Sequence, residues 1–186
     1  ERQRLIDLAR EAVREAVAKG RQASVNAEEF PARLREPKGS FVTLTQQGAL
    51  RGCIGNLRAD EPLYASIISN ARSAATRDYR FPPVREDELD SLEFEISVLS
   101  APKPLSFTSP DDLLAKLQPH RDGVVLEIGS ATATFLPQVW SQLPDRVRFL
   151  SALAQKAGCR PDDWRKPGTR VLIYHVEAFK ESELKP

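Results

Sequence analysis

Phe41-Val42-Thr43-Leu44-Thr45-Gln46-Gln47-Gly48-Ala49-Leu50-Arg51-Gly52-Cys53-Ile54-Gly55 is the stretch on which the fold turns. Two runs rich in apolar and β-branched residues, Phe41–Thr45 and Leu50–Ile54, flank Gln46-Gln47-Gly48. That pattern predicts a β-hairpin, and a hairpin means antiparallel pairing. In a strand, residues i and i+2 share a face. Arg51 and Cys53 are therefore expected on one face, with Leu50 and Ile54 on the other. A guanidinium beside a thiol favours the thiolate, the reactive and metal-binding form. Gly52 and Gly55 have no Cβ, so another backbone or a ligand could come close there. The segment reads as a site without naming a reaction.

On the N-terminal side, Leu5, Ile6, Ala9, Ala12, Val13, Ala16 and Val17 recur at spacings of three and four, which predicts an amphipathic helix over 2–18. Gly20 is its expected stop. Arg21 to Ser40 reads as loop, with a helical turn near Glu28. On the C-terminal side, Pro62 opens a helix that runs to about Thr76 and ends before Phe81-Pro82-Pro83. Leu92–Leu99 alternates apolar with polar residues, the mark of a half-buried strand. Ser109 caps a short helix, and Val124–Ile128 and Ala131–Leu136 flank Gly129-Ser130 as a second hairpin. Asp145 caps a helix over 146–157, ended by Gly158. Arg170–Phe179 reads as one last strand, apolar on both faces from Val171 to Ile173 and hence central in a sheet.

These elements define an α+β fold. The expectation is an antiparallel sheet holding Leu92–Leu99, Val124–Ile128, Ala131–Leu136 and Val171–Val176, with Leu5–Val17 packed against the body as a helix. No flexible linker divides the chain, so 1–186 is expected as a single domain, with a smaller second lobe made of discontinuous pieces.

The net charge of +1 offers no bulk field for nucleic acid or an acidic membrane. No apolar run approaches the roughly 20 residues of a membrane-spanning helix. The start of the chain has no apolar signal-peptide region, and the absence of any Met leaves an upstream segment open. Two cysteines, Cys53 and Cys159, make no disulfide framework, and free thiols fit a reducing cytoplasm. Neither has zinc-ligand spacing to another Cys or His, so no metal and no cofactor is expected. Cys159 reads as a packing residue.

Each candidate has a functional and a plain reading. Cys53 is a nucleophile, a redox thiol or a substrate contact, or else a small buried residue that lets Gly52 and Gly55 pack tightly. Glu93 and Glu95, about 7 Å apart on one strand face, are an acid–base or metal pair, or a solvated face. Asn70, Arg72, Asp78 and Arg80 bracket the end of the second helix. They form a site for an anionic ligand, or a local cluster of caps and salt bridges. His175 titrates near neutral pH or is a satisfied structural residue. Trp140 reads as core or groove wall.

The motifs accumulate into a resemblance. Leu50–Gly55 (LRGCIG) resembles the signature of the AMMECR-domain family, whose bacterial and archaeal members are called AmmeMemoRadiSam system protein A. Asn70-Ala71 through Arg80-Phe81-Pro82-Pro83, Leu92–Ser100, Asp122–Leu126, Ala133–Trp140 and Lys156-Ala157-Gly158 follow in the family's order. Thr76-Arg77 is more polar than the family pattern, and neither histidine falls in a family motif. The resemblance implies a two-lobed α+β protein with the Cys motif near the junction of the lobes. It also implies Memo-like and radical SAM proteins as partners, and no established enzymatic activity.

Three functions follow as expectations. In the first, the chain acts with those partners through a cleft holding Arg51, Gly52, Cys53, Gly55, Asn70, Arg72, Asp78 and Arg80, which binds a small anionic molecule. In the second, the chain is a non-enzymatic adaptor and the Cys motif is structural. Nucleic-acid binding is the weakest, because aromatic and basic residues do not interleave.

Overall fold

The computed structural model describes residues 1–21 and 23–184. Gln22, in the stretch read as loop, and Lys185 and Pro186, at the end of the expected domain, lie outside the described residues. The chain folds into two compact units. The first joins Glu1–Leu99 to the C-terminal segment from Glu177, and the second is Ser100–Val176. The larger unit is thus the one made of two pieces.

The first unit is built on β1 (Ser40–Gln46), β2 (Ala49–Asn56), β3 (Leu92–Leu99) and β8 (Val176–Lys180), in the order β2-β1-β3-β8. β1 pairs antiparallel with both β2 and β3. The β1–β2 turn is Gln47-Gly48, both at positive φ (50° and 80°). Such turns match the right-handed twist of paired strands, so the hairpin closes in two residues. Helices α1 (Arg2–Lys19) and α3 (Leu63–Thr76) cover one face of the sheet. Ile6, Ala9 and Val13 from α1 and Ile67, Ala71 and Ala74 from α3 are buried in one cluster with Val42, Leu44, Phe94 and Ile96. Gly20 ends α1 in the left-handed region, as its sequence position predicts. Short helices α2 (Ala32–Arg35) and α6 (Glu181–Leu184) complete the unit.

The second unit holds β4 (Lys103–Pro104), α4 (Pro110–Lys116), β5 (Gly123–Ile128), β6 (Ala131–Phe135), α5 (Arg146–Lys156) and β7 (Arg170–Tyr174). Its sheet runs β4-β7-β5-β6, antiparallel at each pairing. Ser109 and Asp145 cap α4 and α5 by accepting the N–H groups of Asp112 and Arg148. The core centres on Trp140 and Phe149, stacked with centroids 3.6 Å apart. The buried Trp140 indole donates to the Asp122 carbonyl at 2.7 Å. Burying an indole without that partner would cost free energy.

The α+β class and the antiparallel pairing are as expected, and β7 is interior to its sheet. Two expectations are corrected. The four strands expected in one sheet divide: β3 belongs to the first unit, and β5, β6 and β7 to the second. The expected last strand is also two strands in two sheets, broken at His175. There the backbone N–H of His175 donates to the Ser100 hydroxyl, and its carbonyl accepts the Ser100 N–H, both at 2.9 Å. Those bonds replace sheet-ladder bonds and let the chain change sheets without a Gly or Pro. Among the described residues no helix is long and apolar enough to cross a membrane.

Candidate functional site

The LRGCIG hairpin sits at the edge of the first sheet, because β2 has a neighbour on one side only. An edge strand leaves N–H and C=O groups pointing outward, and these need partners. At Cys53 the loop after α3 supplies them. Asp78 Oδ2 accepts the Cys53 N–H at 2.9 Å. Arg80 Nη2 donates to the Cys53 carbonyl at 3.2 Å. Asp78 and Arg80 are themselves joined by a fork, Nε to Oδ1 at 2.9 Å and Nη2 to Oδ2 at 2.7 Å. The pair therefore clamps both backbone groups of Cys53. The Asp78 side chain is buried, and the Arg80 guanidinium holds its carboxyl well below the usual range, aided by the Cys53 N–H and opposed by burial.

Arg51 is held in a second fork. Its Nε and Nη2 donate to the Glu88 carboxylate at 2.9 and 3.0 Å, and Nη1 and Nη2 also reach the Pro82 and Pro83 carbonyls. Both side chains are almost buried, at 11% and 10% exposure. The Arg51 fork and the Arg85 backbone N–H lower the Glu88 carboxyl to about 2. Alternation would have aimed Arg51 at Cys53, but the pairing passes from Leu44↔Gly52 to Thr45↔Leu50 and leaves Arg51 as an unpaired bulge residue. A bulge interrupts the two-residue period and re-aims its side chain.

The Cys53 thiol is half-buried and accepts a hydrogen bond from the Thr43 hydroxyl at 3.2 Å. Thr43 lies opposite both Cys53 and Glu95, so the three side chains share one rung of the sheet. Glu95 approaches Lys180 at 3.8 Å. The two glycines of the motif face this chain's own atoms. A Cβ at Gly52 would strike the Ala74 carbonyl of α3, and one at Gly55 the Phe41 ring.

Asn70 is buried in a polar knot. Its Nδ2 lies 2.8 Å from Asn56 Oδ1 and 3.0 Å from the Ser40 carbonyl, and the Ser40 and Ser66 hydroxyls are 2.7 Å apart. This knot ties α3 to the ends of β1 and β2. Arg72, half-buried on α3, has a guanidinium without a hydrogen bond or ion pair among the described residues. In the second unit, His175 Nε2 lies 3.2 Å from Asp122 Oδ1. No group of three His, Cys, Asp or Glu residues placed to hold a metal occurs among the described residues.

The structure thus brings Gly52, Cys53, Asp78 and Arg80 together directly. Arg51 goes to Glu88, and Asn70 to the Ser40–Ser66–Asn56 knot. Sequence reasoning missed Glu88 and Thr43. Glu88 lies 37 residues from its partner, and no local pattern announces it. Thr43 had a signal, since hairpin register places it opposite Cys53.

The fold and its site define a class: an α+β protein of two units with a glycine–cysteine edge hairpin clamped by an Asp–Arg fork. The chain belongs to the AMMECR1 family, whose model matches residues 6–179. It is 39% identical over 178 residues to a protein of Methanothermobacter thermautotrophicus, covering 95% of this chain and 92% of that one. It is 41% identical over 185 residues to a protein of Thermococcus gammatolerans, covering 95% and 88%. The crystal structure of an uncharacterized protein from Pyrococcus horikoshii matches with a TM-score of 0.79 at 37% identity, covering 95% of this chain and 89% of that one.

Proposed function

We propose that the chain is a non-catalytic protein-binding component in which the LRGCIG hairpin is a structural platform. The partners are the Memo-like and radical SAM proteins that the family resemblance implies. One observation carries this reading. Among the described residues the exposed large hydrophobics are Leu50, at 42%, and Tyr79, at 95%. Both belong to the segments that the clamp joins: Leu50 opens the motif, and Tyr79 stands between Asp78 and Arg80. Asp78 and Arg80 hold that loop to Cys53, so Tyr79 is kept outside by a rigid frame. A rigid exposed tyrosine is a frequent interface anchor. The small-anion reading of the same motif is less well supported, because the Arg51 fork is spent on Glu88 and the Arg80 fork on Asp78.

The test is a titration of a purified Memo-like protein, and separately of a radical SAM protein, followed by calorimetry. The expected result is a complex that weakens about tenfold or more in Leu50→Ser/Tyr79→Ser. The melting temperature should stay unchanged, because both side chains are exposed. Cys53→Ser should leave the affinity intact. A complex indifferent to Leu50 and Tyr79 but lost in Cys53→Ser, or no complex with either protein, overturns the reading.

A further inference from the structure

The second unit contains a cavity of about 530 Å³, formed where two segments part. β4 pairs with β7 only through Lys103–Ile173 and Pro104–Leu172, and the last bond runs from the Leu105 N–H to the Val171 carbonyl. Beyond it the residues from Ser106 to Pro110 and from Trp164 to Arg170 line the cavity. The volume suits one small molecule.

The lining has a one-sided chemistry. Arg165, Lys166 and Arg170 line the cavity, and no Asp or Glu does. Each cation has an acidic neighbour outside the lining: Asp162 at 3.8 Å from Arg165, Asp163 at 2.8 Å from Lys166, and Glu127 at 3.4 Å from Arg170. Only the Lys166 contact is short. Arg165 and Arg170 have no side-chain hydrogen bond, so their forked donors are unspent. Arg165 is nonetheless fixed in place, since its guanidinium lies 4.1 Å over the ring of the buried Trp164. Stacking engages the face of a guanidinium and leaves its edge free to donate. Ser109 also lines the cavity, and its oxygen accepts the Asp112 N–H and keeps its own proton to give. Leu105 and Phe107 add apolar side chains to the lining.

We propose that this cavity is a binding site for a small organophosphate, a phosphate monoester on a compact apolar body. Arg165 and Arg170 take the phosphate oxygens through their forks, as planar guanidinium donors match tetrahedral oxyanions. Lys166 adds charge, and Ser109 donates its hydroxyl. The organic group lies against the Leu105–Phe107 wall. The proposal concerns the second unit alone and is independent of the partner surface in the first.

Phenyl phosphate, inorganic phosphate and phenol serve as probes, each titrated at millimolar concentration into the full chain by calorimetry. Phenyl phosphate is expected to bind about tenfold or more tightly than either other probe, since each lacks one half of the recognition. In Arg165→Gln/Arg170→Gln its affinity should fall by a similar factor. Arg170→Gln alone, at a residue 69% exposed, should fold normally and still weaken binding. Absence of phenyl phosphate binding overturns the proposal. So does phenol binding as tightly as phenyl phosphate, which would make the cavity merely apolar. Inorganic phosphate matching phenyl phosphate removes the organic half, and binding unchanged in both variants removes the arginines.

Discussion

Arg51 in the first unit and Arg170 in the second carry the same guanidinium into opposite circumstances. Arg51 is 11% exposed, forked onto Glu88 and bonded to two carbonyls. Arg170 is 69% exposed and meets Glu127 only at 3.4 Å. A buried ion forked onto a buried partner holds structure together, because separating the two strands a charge in low dielectric. An exposed ion with unspent donors contributes little to stability and remains available to a ligand. Arg51, inside the most conspicuous motif, is therefore scaffold, and Arg170, in no conspicuous motif, keeps donors to spare.

The harshest way to break this contrast is to remove one partner of the buried pair. Arg51→Ala should destabilise the protein by about 3 kcal/mol, near the lower end for a stranded buried charge. Urea denaturation reads this as a lower midpoint at constant slope. A loss below about 1 kcal/mol would place Arg51 with the surface arginines. Gly52→Ala comes next. Its Cβ would meet the Ala74 backbone, which cannot swing aside as a side chain can, so α3 must shift. An expected loss of roughly 2 kcal/mol follows from overpacking. Free space surrounds Gly48, so Gly48→Ala tests only its positive φ and should cost about 1 kcal/mol.

Acid sharpens the comparison. The Glu88 carboxyl is depressed from 4.5 to about 2 in the folded state. A depressed acid stabilises the fold above its unfolded value and loses that contribution as pH falls through the folded one. Stability should therefore decline between pH 4.5 and 2, and Asp78 acts in the same direction. In Glu88→Gln the decline over that window should be shallower. An unchanged slope would mean that Glu88 is not linked to folding.

What was legible in the sequence was local. Periodicity placed α1, alternation placed β3, start and stop residues placed α3 and α5, and Ser109 and Asp145 cap as their chemistry requires. The hairpin signal gave the antiparallel pairing of β1 and β2, while the register that sets Thr43 opposite Cys53 was there to be read and was not drawn from it. What failed was non-local. Nothing in Arg170–Phe179 signals that Ser100, far back in the chain, will take the backbone bonds of His175 and split the strand. Short elements such as α2 and the 3₁₀ turn Glu86–Ser91 are below the length at which periodicity speaks. The bulge at Arg51 is the subtlest loss, since one extra residue cancels an i, i+2 inference and hides the Glu88 partner.

The smallest expected effect tests the other side of the contrast. Arg170→Gln should change stability by no more than about 0.5 kcal/mol, the usual range for a surface substitution away from special features. Its contact with Glu127 involves no hydrogen bond, and water screens both groups. Arg165→Gln should cost slightly more, about 0.5–1 kcal/mol, because it also gives up the stacking on Trp164. Both values come from the same urea titration used for Arg51→Ala, and the ranking is what matters. If Arg170→Gln costs as much as Arg51→Ala, the cavity cations are scaffold too, and their unspent donors are not available for a ligand. If the ranking holds, these arginines contribute little to the fold, and a ligand that engages them should raise the melting temperature by mass action in the wild-type chain more than in the variants.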